Sequence, residues 1–122
     1  MNQLEGKRAL LYRRVSTSNQ KEFGNSLSAQ KSTLRDFCVK NGVGVVKEFE
    51  EDYSAKDFDR PAFKEMLEFA IENKNKIDYL LIVSWDRFSR NVYAALETIG
   101  QLKKLGIEVN CINNWIDSED PQ

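Results

Sequence analysis

Apolar and polar residues follow one another along the chain in blocks that predict alternating strands and helices. Short apolar runs predict strands over residues 7–15, 43–49, 78–85 and 107–112. Helical spacing predicts helices over residues 27–41 and 92–105, and one more helix that begins at Pro61. The order β-α-β-α-β-α-β with short connections predicts an α/β fold. Its sheet would be mostly parallel, with four to five strands flanked by helices.

The predicted helices carry apolar stripes and have suitable ends. Ser26 fits the N-cap of the first helix, and Asn41-Gly42 fits its end. Positions expected to face the sheet are Leu27, Leu34, Phe37 and Cys38 in the first helix, Phe63, Met66, Leu67, Ala70 and Ile71 in the second, and Leu96, Ile99 and Leu102 in the third.

A length of 122 residues predicts one domain. Apolar residues make up 41% of the chain and charged residues 30%, which suffices for a core beneath an ordinary polar surface. The sequence contains no run of about 18 apolar residues, the length that a membrane-spanning helix needs. The polar start of the chain does not resemble a signal peptide. Cys38 and Cys111 are too few for a disulfide framework, so we expect packed thiols in a cytoplasmic protein.

The charge balance and the lack of histidine limit the kinds of binding and catalysis that the side chains could support. A formal net charge of −1 and a pI of about 5.6 are untypical of a free-standing nucleic-acid binder, although a local basic pocket is compatible with them. The chain contains no histidine, which excludes a Ser-His-Asp triad and removes the commonest transition-metal ligand. Any chemistry must therefore use Ser, Arg, Asp, Glu, Lys or Tyr side chains.

The most informative polar cluster follows the first predicted strand. Arg14 and Ser16 are two residues apart, so on a strand they point to the same side, as does Tyr12. A guanidinium beside a hydroxyl would activate the hydroxyl as a nucleophile and hold an anionic electrophile against it.

A second arginine cluster follows the third predicted strand. Arg87 and Arg90 are spaced i, i+3 and would share a face if a helical turn begins after Trp85. Arginine is unfavourable at a helix N-terminus, and a bound anion would remove that conflict by using the free N–H groups of the helix. Ligands of open α/β sheets bind at the carboxyl ends of strands, so the two clusters predict one phosphate-binding site.

These residues also have ordinary structural interpretations. A lone serine at a strand end most often turns or caps the chain, and Asp59-Arg60-Pro61 is a normal helix start. Arg87 could form a surface ion pair with Asp86. Asp52 and Asp86 both follow strands, but the acidic residues show no spacing that demands a metal ion, so neither a metal nor a cofactor is predicted.

Together the motifs form a recognisable series. It comprises Tyr12-x-Arg14-Val15-Ser16-Thr17-x-x-Gln20, Ser26-Leu27-x-x-Gln30, Asp52-Tyr53-Ser54 with Arg60-Pro61, and Asp86-Arg87-x-x-Arg90. From about residue 7 to residue 116 the chain resembles the catalytic N-terminal domain of the serine recombinases, the resolvase/invertase family. The five residues between Gln20 and Ser26 are similar to the spacing in large serine recombinases and transposon integrases. Ser54-Ala55 departs from the Ser-Gly that many members have.

The resemblance implies a role for each matching residue. Ser16 would attack a DNA phosphodiester and become a phosphoserine, without metal or ATP. The scissile phosphate would be held by Arg14, Arg87 and Arg90, with help from Arg60. Asp86 would donate a proton or orient the arginines. Pocket support would come from Tyr12, Gln20, Gln30, Asp52 and Ser54.

The resemblance also implies partners and a wider context. Double-stranded DNA would be the substrate, and copies of the protein would assemble as dimers and tetramers in a prokaryotic cytoplasm, at the nucleoid during reaction. The chain is expected to be a fragment, without a long helix and a DNA-binding region, that does not recombine DNA alone. Two other functions stay open: a non-catalytic, DNA-associated assembly module on this fold, and a receiver-like signalling domain. A nucleotide-binding domain is set aside because no Gly-rich phosphate loop is found.

Overall fold

The computed structural model describes residues 3–15, 26–52, 60–89 and 91–116. The strands in this part of the chain are β1 (Arg8–Val15), β2 (Gly44–Asp52), β3 (Tyr79–Ile82) and β4 (Glu108–Cys111). The helices are α1 (Leu27–Asn41), α2 (Pro61–Glu72), α3 (Trp85–Phe88) and α4 (Val92–Lys104). No helix among these is long and apolar enough to cross a bilayer.

The four described strands form one parallel sheet in the order β2-β1-β3-β4. The prediction of a mostly parallel sheet flanked by helices is therefore confirmed. β1 lies inside the sheet, and all but the first of its residues are buried. A strand covered on both faces needs apolar residues at consecutive positions, which explains the unbroken run at its start.

Each face of the sheet carries its own core. On one face, Leu10 and Tyr12 pack with residues of α2, α3 and α4. On the other face, Ala9 and Leu11 pack with Leu34 and Cys38 of α1. Alternate residues of β1 therefore belong to different layers, because side chains of a strand alternate between faces.

Both predicted ends of α1 and the predicted start of α2 are confirmed, whereas α4 ends at Lys104, one residue before its predicted end. Ser26 Oγ accepts a hydrogen bond of 3.1 Å from Ala29 N, and Pro61 occupies the first position of α2. Gly42 ends α1 in the left-handed conformation, with φ of 69°. A Cβ at this position would lie 2.9 Å from Glu5 Cγ, so both the backbone angle and the space favour glycine.

Two predicted strand ends were wrong. β2 continues to Asp52, so the loop predicted from Glu50 begins later. β3 ends at Ile82, and Trp85, predicted to be its last residue, begins α3 instead. Trp85 packs beside Phe88 against the core, which a helical turn allows.

Two residues predicted to face the sheet are exposed instead. Ile71 is 61% exposed and Leu96 is 62% exposed. A helix turns about 100° per residue. Ile71 therefore lies off the face that buries Ala70, and Leu96, two residues before the buried Thr98, lies nearly opposite the buried face of α4.

The two cysteines are buried, as predicted. Burial, with a smaller contribution from the charge of Asp86, raises the pKa of the Cys111 thiol to about 12. Burial likewise raises the pKa of Cys38. Both are therefore protonated, unreactive core thiols at neutral pH.

Candidate active site

The carboxyl end of β1 contacts α3, the short helix that follows β3, at one edge of the sheet. Of the predicted site residues, the structure describes Tyr12, Arg14, Gln30, Asp52, Arg60, Asp86 and Arg87. Ser16, Gln20, Ser54 and Arg90 lie outside the described residues. Ser16 directly follows Val15, the last residue of β1, in the sequence.

Arg14 is fully buried and reaches across to α3. Its Nε donates to the carbonyl oxygen of Arg87 at 3.0 Å, and its Nη2 donates to that of Asp86 at 2.7 Å. The partners are 73 and 72 residues away in the sequence. Two bonds from one guanidinium fix both its position and its plane.

Arg60 is also fully buried, and it reaches the same helix from another direction. Its Nη2 donates to the carbonyl oxygen of Phe88 at 2.9 Å. The last carbonyls of a helix have no intrahelical partner, and cations are favoured at this end. Arg14 and Arg60 together therefore cap the last three carbonyls of α3.

Aromatic rings surround the Arg60 guanidinium. Its Cζ lies 5.5 Å from the centre of the Tyr12 ring and 5.1 Å from that of Phe63. The two rings also contact each other edge to face, with centres 5.3 Å apart. Cation–π attraction is strongest where water is excluded, so this environment stabilises a buried positive charge.

Asp86 and Arg87 lie within α3 but differ in exposure. The Arg87 side chain is buried, whereas that of Asp86 is 58% exposed. Asp86 Oδ1 accepts a hydrogen bond of 2.5 Å from Ser84 Oγ, and its Oδ2 lies 3.8 Å from Arg87 Nε. The predicted pairing of Arg87 with Arg90 stays a prediction, because Arg90 lies outside the described residues. Within the described residues, the C-terminal carbonyls of the four-residue α3 accept from Arg14 and Arg60.

Gln30 of α1 holds the end of β1. Its Oε1 accepts from Arg14 N at 3.2 Å, and its Nε2 donates to Arg14 O at 2.9 Å. β3 pairs with β1 only as far as Leu11, so the main chain of Arg14 lies beyond that strand. The Gln30 amide takes the place of the missing strand and satisfies both backbone groups.

Glu51 is a buried residue of the site that the sequence reasoning missed. Its Oε2 accepts from the Tyr12 hydroxyl at 2.7 Å, and its Oε1 accepts from Ala62 N at 2.9 Å. Alternation along β2 could have revealed it, because Glu51 shares a face with the buried Phe49. The predicted residue, Asp52, is exposed and lies beside Val15 in the strand register.

Burial raises the pKa of Tyr12 above its ordinary value of 10.0, and the hydrogen bond to Glu51 adds to this rise while the charge of Arg60 opposes it. The hydroxyl therefore stays protonated and acts as a donor at physiological pH. Among the described residues, this face of the sheet buries three guanidinium groups, of Arg14, Arg60 and Arg87, and one carboxylate, of Glu51. Such a positive excess is suited to binding an anion.

Comparison with known protein families gives a match over most of the chain. The sequence model of the family described as "Resolvase, N terminal domain" matches residues 9–122. The chain belongs to the resolvase family. It is thus a member of the serine recombinase catalytic domains, as the sequence motifs predicted.

Solved structures share the fold of this resolvase domain. The N-terminal catalytic domain of TP901-1 integrase is 25% identical, with a TM-score of 0.82, over 94% of this chain and 84% of that one. A resolvase family site-specific recombinase from Streptococcus pneumoniae is 30% identical, with a TM-score of 0.78, over 95% and 78% of the two chains. The described fold is therefore that of serine recombinase catalytic domains.

A relative from a phage matches part of the resolvase domain. Uncharacterized immunity region protein 3 of Bacillus phage phi105 is 43% identical over 58 residues. The match spans 47% of this chain and 71% of that protein.

Proposed function

We propose that this resolvase domain cuts and rejoins DNA at specific sites through a covalent bond between Ser16 and a 5′-phosphate. The observation that carries the proposal is the convergence of Arg14 and Arg60 on α3, the helix that carries the buried Arg87, next to the strand end that Ser16 follows in the sequence. Membership of the resolvase family supports the same chemistry.

The proposed reaction is an in-line transfer. The Ser16 oxygen attacks the phosphorus, the bond to the 3′ oxygen breaks, and the 3′ oxygen leaves as a hydroxyl. Asp86 supplies the proton for the leaving oxygen or orients the arginines, and the Ser16 proton passes to solvent. Rejoining reverses these steps, with the 3′ hydroxyl of another strand as the nucleophile.

The arginines would stabilise the charge that spreads over the equatorial phosphate oxygens. Hydrogen bonds to carbonyl oxygens of α3 hold Arg14 and Arg60 in place, as a site for a phosphodiester requires. We assign the same role to Arg87 and Arg90, and we assign support of the pocket to Tyr12, Gln20, Gln30, Asp52 and Ser54. Each well-placed donor contributes roughly 3 kcal/mol to transition-state stabilisation.

Neither ATP nor a metal ion is needed in this scheme. The phosphoserine bond conserves the energy of the phosphodiester that it replaces, so religation requires no external energy. Arginine supplies the positive charge that a metal ion supplies in other phosphoryl transfer sites. Double-stranded DNA and further copies of the protein are the proposed partners, inside the cytoplasm.

The test looks for the covalent intermediate. The protein that carries this chain is incubated with DNA bearing the ends of its genetic element, and the reaction is quenched and run on a denaturing gel. We expect a protein–DNA adduct that forms in EDTA and is lost in Ser16→Ala. Ser18→Ala, two residues along, is the matched control and should keep the adduct.

Two results would contradict the proposal. An adduct that survives Ser16→Ala would mean that another residue is the nucleophile. No adduct on DNA that the protein demonstrably binds would favour a non-catalytic assembly module on this fold.

A further inference from the structure

We propose that Glu51 is a positioning residue that holds Arg60 in the arginine cluster. The inference rests on the proposed function, because it concerns the same site. It starts from the burial of Glu51, which is only 8% exposed, at the carboxyl end of β2. A buried carboxylate is unfavourable unless its oxygens are hydrogen bonded and its charge is balanced.

Both oxygens of Glu51 are used, by donors from two different elements. Oε2 accepts from Tyr12 of β1, and Oε1 accepts from the main chain of Ala62 in α2. Glu51 therefore joins β2, β1 and the start of α2 through one carboxylate. The positive end of the α2 dipole and the nearby Arg60 offset its negative charge.

The bond to Ala62 replaces the usual helix cap. Arg60 is the N-cap residue of α2, in an extended conformation, and its side chain makes no capping bond. Pro61 has no N–H, so Ala62 carries the first donor of the helix, and Glu51 takes it up from another strand. This arrangement leaves the Arg60 side chain available to cross to Phe88 in α3.

The hydrogen bond between Glu51 and Tyr12 fixes the orientation of a ring that contacts the Arg60 guanidinium. The Tyr12 ring is one of the two aromatic surfaces against which the Arg60 guanidinium lies. Fixing the hydroxyl fixes the tilt of that ring. Through Ala62, Glu51 thus fixes the main chain of Arg60 at the start of α2. Through Tyr12, it fixes the ring against which the Arg60 guanidinium lies.

The first arm of the test follows the Arg60 side chain directly, in the 122-residue chain, and needs no activity. The Arg60 Nε–H resonance is compared by NMR in wild type, Glu51→Ala and Glu51→Gln. We expect Glu51→Ala to shift this resonance, since the guanidinium moves relative to the Tyr12 ring, and to speed its exchange with water. Glu51→Gln should restore most of the wild-type signal, because glutamine can still accept from Ala62 and donate to the Tyr12 oxygen.

The second arm measures cleavage and DNA affinity separately, using the protein that carries this chain. Misplacement of a phosphate-binding group lowers the rate on the order of 100-fold. We expect about that loss in the rate of adduct formation for Glu51→Ala, with DNA affinity unchanged, and partial rescue in Glu51→Gln. Glu50→Ala is the matched control, because its half-exposed side chain lies on the opposite face of β2, where its partner Arg13 keeps the bond to Glu48.

The outcomes separate the two proposals. If wild type forms no adduct, the proposed function fails, and the NMR arm still decides whether Glu51 positions Arg60. A folded Glu51→Ala chain with an unchanged Arg60 resonance would overturn the inference, as would a cleavage rate equal to that of Glu50→Ala. If Glu51→Ala does not fold, Tyr12→Phe replaces it in the test, because this change removes one of the two hydrogen bonds of Glu51 and keeps the ring. Tyr12→Phe should also shift the Arg60 Nε–H resonance.

Discussion

At the scale of single residues, neighbouring arginines of β1 are stabilised in different ways. Arg13 points to the α1 face, where Nη1 donates to Glu48 at 2.6 Å and Nε donates to Glu50 at 2.9 Å. Arg14 points to the other face, where it binds the carbonyl oxygens of α3. The described bonds of Arg13 are therefore to charged carboxylates, and those of Arg14 are to main-chain carbonyl oxygens.

The Glu48 carboxylate should make stability depend on pH. The hydrogen bond from Arg35 Nε, at 2.9 Å, lowers the pKa of Glu48 from its ordinary 4.5, and Arg13 adds to this effect while burial opposes it. A carboxylate with a lowered pKa in the folded state contributes stability above pH 4.5 and loses it as the pH falls through the folded value. Glu48→Gln should therefore be less stable than wild type at pH 7.

The measurement is urea unfolding of both proteins from pH 7 to pH 2.5. The difference in the free energy of unfolding should shrink as the pH falls below 4.5. The control repeats the comparison in an Arg35→Ala background, where the pH dependence should be weaker. A difference that stays constant across the range would show that this ion pair does not stabilise the fold.

At the scale of elements, the short α3 organises the arginine cluster. The last four carbonyls of any helix lack an intrahelical partner, and in the four-residue α3 three of them accept from Arg14 and Arg60. The end of β1 depends in a similar way on Gln30 of α1. Incomplete elements therefore expose the main-chain groups that hold the site together.

Two glycines at different places in their helices predict opposite effects of alanine. Gly100 lies inside α4, and no atom lies within 4 Å of a Cβ added there, so Gly100→Ala should raise the free energy of unfolding by about 1 kcal/mol. Gly42→Ala should lower it by about 1–2 kcal/mol, since its φ is positive and the added Cβ would press on Glu5.

Urea unfolding of the two variants checks both signs. Because the substitution is the same, any general effect of alanine on the unfolded chain is shared. If Gly100→Ala had a lower free energy of unfolding than wild type, the outer face of α4 would have to contact another molecule in solution.

At the scale of the whole molecule, positive charge is concentrated rather than abundant. The net charge is −1, yet in the described part of the chain three buried arginines, Arg14, Arg60 and Arg87, lie on one face of the sheet. Long-range attraction to DNA depends on overall charge, whereas the hold on one phosphate depends on the local cluster. Under the proposed function, this cluster would hold a single phosphodiester, and the low net charge would add little long-range attraction to DNA.

The 122-residue chain should accordingly bind duplex DNA weakly and without sequence preference. We expect a dissociation constant of about 10⁻⁴ to 10⁻⁶ M at physiological salt, rising with salt concentration. Fluorescence anisotropy with two unrelated duplexes measures it. Nanomolar binding to one duplex and not to the other would show that this chain itself selects the DNA sequence.

The sequence by itself determined the elements and their order, apart from the short α3, whose first residue was predicted to end a strand. The helical periodicity, with Ser26 before it and Gly42 after it, predicted the observed bounds of α1. The short connections between elements predicted the parallel sheet. These features are local, so local residues specify them. The family followed from motifs spread over the chain, whereas the role of Ser16 stays a prediction.

The tertiary structure decided how the site is held together. The carbonyls that bind Arg14 and Arg60 belong to the main chain, which is alike in every residue and leaves no mark in the sequence. The bond between Glu51 and Tyr12 joins residues 39 apart, and its existence depends on the register between β1 and β2. Which helix face is buried, as for Leu96, likewise depends on how the helix lies on the sheet, because an apolar residue at the edge of a stripe fits either side.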